Sequence, residues 1–225
     1  MIRLVLFDID GTLINSGGAG EKAFARVCDL EFKVPTGAHS LHFAGRTDPA
    51  IVREFFTNHG IEPSKDNFRR FFDAYVFMLE HMLKETNGRV LPGVPQLIDR
   101  LRNTAQAPLI GLLTGNIRLG AQIKLQHYGL WDQFKMGSFG DDNECRDQLA
   151  AIARERGSRM LGRELKGEEV LVIGDTPLDV KCANAIGAKV IAVATGRYNA
   201  EQLTACKPTW TMGCLDECCV DEVCG

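Results

Sequence analysis

A doubly wound parallel α/β sheet, interrupted after its first strand by a helical insertion, is the fold this sequence predicts. Three observations carry the prediction. Short, almost continuously apolar runs lie at residues 3–7, 109–113, 170–173 and 190–194. Helix-patterned stretches separate the later runs. One long helix-patterned stretch follows the first run out of turn. Apolar runs of this kind suit parallel strands covered on both faces, and their alternation with helices suits a doubly wound core.

In chain order, the run at 3–7 stops at Asp8. Residues 17–88 then break the alternation. Helices are expected at 49–59 and 66–86, where Phe68, Phe71, Phe72, Tyr75, Leu79 and Met82 recur at three- and four-residue spacing. Such a stripe reads as the core of a helical bundle. Residues 17–88 are therefore expected to form a helical cap inserted in a core made of residues 1–16 and 89–225. The core resumes with a helix at 95–102 and the run at 109–113, which ends at Thr114. A helix at 120–128, a weaker strand at 134–139 and a helix at 147–156 follow. The run at 170–173 ends at Gly174 and Asp175, Pro177 opens a helix at 177–186, and the run at 190–194 completes the pattern.

Composition excludes several classes. The 225 residues carry 26 Lys and Arg against 29 Asp and Glu, a formal net charge of -3, with 45% hydrophobic and 24% charged residues. These are the proportions of a globular domain, not of a disordered or collagen-like chain. No apolar run approaches the roughly 20 residues that span a bilayer. The first apolar run meets Asp8 too early for a secretory signal, so a cytoplasmic protein is expected. The slight acidity gives no electrostatic reason to expect a nucleic-acid or membrane-surface partner. Of the 8 cysteines, Cys206, Cys214, Cys218, Cys219 and Cys224 crowd the tail. Their spacing does not fit paired zinc-binding motifs, so they read as small apolar fillers and a few exposed thiols.

The polar residues that end the apolar runs suggest a site. In an open parallel sheet, ligands bind beyond the carboxyl ends of the strands. Asp8, Thr114 and Asp175 are expected to converge there. Asp8 and Asp175 offer hard carboxylate oxygens without neighbouring His or Cys, a donor set that suits Mg²⁺. Turns at Gly11, Gly115 and Gly174 let backbone N–H groups approach an anion, and Thr114 and Asn116 precede a helix whose positive end favours phosphate. Asp8 can attack phosphorus to form an aspartyl-phosphate. Asp10 falls on the same side of an extended chain and can protonate the leaving oxygen, then accept a proton from water. The competing structural readings are a helix cap at Thr114–Asn116 and an N-terminal capping arrangement at Asp175–Asp179.

These motifs resemble those of the haloacid dehalogenase-like hydrolases, in particular the phosphatases that carry an inserted helical cap of the C1 type on a Rossmann-like core. The stretch Asp8-x-Asp10-Gly11-Thr12 matches the first motif, Thr114 the second, and Asp175 with Asp179 the fourth. The resemblance implies Asp8 as nucleophile and Asp10 as acid/base. Asp8, the backbone carbonyl of Asp10 and Asp175 would hold Mg²⁺, with Asp179 supporting the metal directly behind them or through water. Gly11, Thr12, Gly115 and Asn116 would help to bind phosphate. Relatives usually place a Lys at the third motif. Arg146 is the best positional match here, Lys135 the fallback, and Lys124 is set aside as lying in the middle of a helix. Arg can hold a phosphoryl group and a carboxylate with its bidentate fork.

In the cap, Arg46 is the candidate to reach a substrate anion, Glu21 and Lys22 are further candidates, and Asp48 reads as a helix N-cap. Asp10 argues against the dehalogenase and phosphonatase branches, which replace it. A phosphatase acting on a small-molecule phosphate ester is expected, as monomer or homodimer. A β-phosphoglucomutase-like mutase is the enzymatic alternative, and a non-catalytic binding protein on the same fold is the other.

Overall fold

The computed structural model describes residues 1–224, with the side chain of Cys224 outside the described part. Its centre is a six-stranded sheet. In chain order the elements are β1 (Leu4–Phe7), β2 (Ile14–Asn15), α1 (Ala19–Leu30), α2 (Asp48–Asn58), α3 (Lys65–Glu85), β3 (Arg89–Val90), α4 (Val94–Arg102), β4 (Leu109–Leu113) and α5 (Arg118–His127). They continue with β5 (Met136–Ser138), α6 (Arg146–Met160), β6 (Val170–Gly174), α7 (Pro177–Ala185), β7 (Lys189–Val193), α8 (Ala200–Ala205), β8 (Trp210–Met212) and α9 (Val220–Cys224).

The strand order is β5-β4-β1-β6-β7-β8, and the pairings are parallel. β1 is central: Leu4 pairs with Leu109 of β4 on one side and with Val170 of β6 on the other. The strand order therefore reverses beside β1, and the ends of β1, β4 and β6 lie together. That is the crevice where such sheets bind ligands. Each face of the sheet has its own apolar core. One joins Val5, Phe7 and Ile173 to Leu97 and Leu125, and the other joins Leu4, Leu6 and Val172 to Leu149 and Ala183.

Helix α6 runs past the expected end at 156 and through Gly157. A Cβ at Gly157 would sit 2.6 Å from Leu4 Cδ2. The missing side chain lets the helix lie close on the sheet, so this glycine serves packing and does not terminate the helix. The tail adds an edge strand and short helices to the core. Cys218 is buried, Cys206 and Cys214 are half-buried, and Cys219 is exposed. The cysteines Cys28 and Cys182 are buried, and Cys145 is exposed. Among the described residues, no cysteine joins a group that could hold a metal, and no helix is long and apolar enough to cross a membrane.

Helices α1, α2 and α3 build a third apolar core around Phe24, Phe55, Phe56 and Phe71. The rings of Phe24 and Phe71 lie 4.6 Å apart between centroids, within the range where aromatic pairs attract beyond their area. The chain enters this bundle after β2 and leaves it before β3, and the two strands pair antiparallel, Ile14 with Val90 and Asn15 with Arg89. Ile117, Ile123 and Tyr128, at or near α5, also pack against the bundle.

Candidate active site

Asp8 follows the last residue of β1, and its amide donates to Ile173 O at 2.9 Å, which continues the sheet ladder by one step. Asp175 follows β6 in the same way. Both carboxylates are buried, with 5% and 4% of the residue exposed. Burial pushes the Asp8 carboxyl up to about 6; Arg146 opposes the shift, and Asp179 and Asp10 add to it. Asp175 is raised well above the usual carboxylate range, first by burial and then by the charges of Asp8 and Asp179. Gly11, at φ 80°, brings the turn against Asp175, where any Cβ would overlap the carboxylate.

Asp179 lies in the first turn of α7, with 1% exposed. Its Oδ2 accepts from Thr176 Oγ1 at 2.7 Å and from Thr176 N at 3.0 Å, so Thr176 is the helix cap and Asp179 completes a capping box. Its other oxygen accepts from Arg146. One oxygen of Asp179 thus completes the helix cap, and the other meets Arg146 beside Asp8.

Arg146 opens α6 and is buried. Its Nη2 bonds Asp179 and stands 3.3 Å from Asp8 Oδ1, while Nη1 donates to Gly45 O at 3.1 Å. Lys135 is exposed and lines a separate groove beside β5, far in the fold from these carboxylates. Of the three candidates for a basic partner of Asp8, the structure brings Arg146 to it.

Asp8, Asp175 and Asp179 each offer an oxygen, and those oxygens lie within 4.8 Å of one another. The donor set is all carboxylate, buried, and its mutual repulsion is visible in the raised carboxyls of Asp8 and Asp175. Such a set fits a hard divalent cation, which would relieve that repulsion. Two expectations about phosphate ligands change. The amides of Gly11 and Thr12 are committed to Ile14 O (2.8 Å) and Ile9 O (3.3 Å), closing the turn, and Thr12 Oγ1 donates to Asp175 Oδ1 at 3.1 Å. These residues shape the acidic cluster and do not offer their donors to an anion.

Thr114 follows the last residue of β4, fully buried, and its Oγ1 accepts from Asn116 Nδ2 at 2.8 Å. Asn116 also gives Nδ2 to Asp10 Oδ2 at 2.9 Å. Lys124 does lie in the middle of α5, yet it is 4% exposed and its Nζ donates to Asp10 Oδ2 and Asn116 Oδ1, each at 2.6 Å. The reason for setting it aside fails because helical side chains lean toward the N-terminus, and the N-terminus of α5 abuts the site. A signal was present: Ile117, Gly120, Ala121 and Leu125 are buried, and Lys124 shares their helix face.

The cap closes the site. Gly115 meets the Arg46 carbonyl so closely that a Cβ there would overlap it, and Asp48 N donates to Gly115 O at 2.7 Å. Asp48 is not the cap of α2. Thr47 holds that place, and Asp48 Oδ2 instead accepts from Ile117 N at 2.9 Å, capping α5 of the core. Burial raises the Asp48 carboxyl to about 6, against the opposing charge of Lys124. Arg46 lines the cavity but pairs with Glu54 at 2.5 Å. Glu21 also lines it and pairs with Arg197, which the sequence reading missed, while Lys22 is exposed and off the cavity. The cavity between cap and core measures about 350 Å³, with Phe24, Phe43, Ile51 and Tyr75 on its cap side.

A family model described as haloacid dehalogenase-like hydrolase matches residues 5–193. The chain is 28% identical over 199 residues to a phosphoglycolate phosphatase of Rhodobacter capsulatus, covering 87% of this chain and 86% of that protein. It is 26% identical over 230 residues to a phosphoglycolate phosphatase of Pseudomonas fluorescens, covering 95% and 80%. A predicted phosphatase from Clostridium acetobutylicum has a similar fold, with a TM-score of 0.72 at 20% identity over 96% of each chain.

Proposed function

The chain belongs to the haloacid dehalogenase-like hydrolases and is a phosphatase among them, and from that premise we propose that it hydrolyses a small phosphate monoester by way of an aspartyl-phosphate on Asp8, with Mg²⁺. The observation that carries this reading is the buried Asp8, Asp175 and Asp179 cluster, held by Arg146 and opening beside Asp10 into the cavity.

Asp8 supplies the attacking oxygen. Arg146, between Asp8 and Asp179, orients the nucleophile and offers positive charge where a phosphoryl group would gather negative charge. Asp8, Asp175 and the Asp10 carbonyl would hold the cation, with Asp179 behind them. When bound, Mg²⁺ neutralises the carboxylates and the phosphoryl oxygens and so permits one anion to approach another. Asp10 gives a proton to the leaving oxygen and takes one from the water that then attacks the aspartyl-phosphate. The closed cap excludes bulk water during transfer. A cavity of about 350 Å³ is at the small end for ligand pockets, which favours a metabolite over a polymer. The relatives from Rhodobacter capsulatus and Pseudomonas fluorescens are both named for phosphoglycolate, so that ester is the first to assay.

The deciding experiment is a panel of phosphorylated metabolites assayed for free phosphate with and without Mg²⁺, beside an Asp8→Asn variant. Mg²⁺-dependent release that Asp8→Asn abolishes supports the reading. Turnover by a folded Asp8→Asn protein removes Asp8 as nucleophile, and interconversion of hexose phosphates without release would make the protein a mutase.

A further inference from the structure

A buried ammonium is costly unless its hydrogens meet acceptors. Lys124 meets two, and both belong to the cavity wall: Asp10 Oδ2 and Asn116 Oδ1, each at 2.6 Å. The second contact settles how the Asn116 amide is turned. Its oxygen faces the ammonium, so its nitrogen faces Asp10 Oδ2 at 2.9 Å and Thr114 Oγ1 at 2.8 Å. Among the described residues, Oδ2 of Asp10 thus receives two donors and Oδ1 none. The Asp10 side chain is 40% exposed, on the cavity. The other cations on that wall are engaged elsewhere, Arg146 with Asp8 and Asp179, Arg46 with Glu54, and Arg197 with Glu21.

We infer that Lys124 is the positioning residue for Asp10, holding its carboxyl by Oδ2, with Asn116 as a second strut, so that Oδ1 is the oxygen that passes the proton. This rests on the phosphatase reading. Two donors on Oδ2 leave a carboxyl proton only one place, Oδ1. In the first step the Asp8 oxygen bonds to phosphorus, the ester P–O bond breaks with its electron pair going to the leaving oxygen, and Asp10 Oδ1 gives its proton to that oxygen. In the second step water bonds to phosphorus, the bond to Asp8 breaks, and Oδ1 takes the water proton. Lys124 keeps its own protons throughout. The fork of donors fixes the plane of the carboxyl, and proton transfer depends on that alignment.

Leaving-group dependence tests this. An aryl phosphate leaves without help from an acid, while an alkyl phosphate needs the proton. The probes are p-nitrophenyl phosphate and the alkyl ester that the wild-type enzyme turns over best, each read as kcat/KM with Mg²⁺. Lys124→Met should lower kcat/KM for the alkyl ester by about 100-fold and for the aryl ester by less than about 5-fold. Lys124→Gln should show the same split, so the test survives if one variant folds poorly. Lys124→Met combined with Asp10→Asn should be no worse on the alkyl ester than Asp10→Asn alone. Equal losses on both esters in a folded variant, no loss on either, or a further loss in the double variant would overturn the inference. A wild-type enzyme that releases phosphate from no ester overturns the phosphatase reading itself.

Discussion

Arg146 Nη2 and Asp8 Oδ1 lie 3.3 Å apart, with only 6% and 7% of their side chains exposed. The same nitrogen bonds Asp179, and Nη1 reaches the cap at Gly45 O. One side chain therefore meets Asp8, the rest of the acidic cluster and the cap together. Arg146→Ala should lower kcat/KM by at least about 100-fold, because it removes a cation beside developing charge. Arg146→Lys should recover only part, since an ammonium cannot span Asp8, Asp179 and Gly45 at once. Lys135→Ala should leave activity within about twofold. Steady-state kinetics decide, and a large Lys135 effect would move the phosphate-binding cation.

Gly115 has no room for a methyl group. A Cβ there would overlap the backbone carbonyl of Arg46, and a backbone cannot move aside without lifting the cap. Gly115→Ala should leave the core folded by circular dichroism, raise KM and lower kcat. Scattering in solution should report a more open particle. Unchanged kinetics would show that the cap need not close on this loop.

Asp48 is neutral more readily in the folded chain than in the unfolded one, since burial raises its carboxyl from 3.8 to about 6. Between these values the folded state binds more protons. Its contribution to stability is therefore fully present below about pH 4 and is lost as pH rises through 6. Asp48→Asn keeps an acceptor for Ile117 N and removes the charge. The variant should gain about 2 kcal/mol at pH 7.5, a value discounted for cavity water on its open side, and nothing at pH 4. Urea midpoints at the two pH values measure it. An advantage that is the same at both would show that charge is not the cause.

The three raised or crowded carboxylates should also make stability depend on a cation. Mg²⁺ at a hundredfold excess over its dissociation constant should stabilise the wild-type fold by about 3 kcal/mol. Asp175→Asn should abolish the response while raising the metal-free midpoint at neutral pH, because one of the mutually repelling charges has gone. Thermal unfolding with chelator and with Mg²⁺ reads both effects.

Much of this site was legible because polar residues interrupting apolar runs can lie nowhere but at strand ends. Asp8, Thr114 and Asp175 are such residues, and Arg146 follows the same logic at a helix start. Lys124 was legible only in part: its place on the apolar face of α5 was a local signal, but its partner Asp10 is 114 residues away in sequence, and no local pattern ties the two together. Asp48 was displaced by one position because Thr47 and Asp48 are both good caps, and only the approach of α5 decides between them. The edge strand Trp210–Met212 is half-buried along its length, so it lacks the apolar run that marked the central strands.

The paired strands β2 and β3 bring Asn15 and Arg89 side by side. Neighbours across such a ribbon are about 5 Å apart, a gap that a two-residue turn bridges. Topologically the helical bundle is a cassette: it can be exchanged for another, of different size and lining, without cutting or rethreading the catalytic sheet. Exchange has one constraint, which lies at α5. Ile117, Ile123 and Tyr128 pack into the bundle, so any replacement must carry an apolar surface to meet them, and Lys124 stands on that same helix. Any exchange of the bundle is thereby coupled to the helix whose Lys124 reaches Asp10.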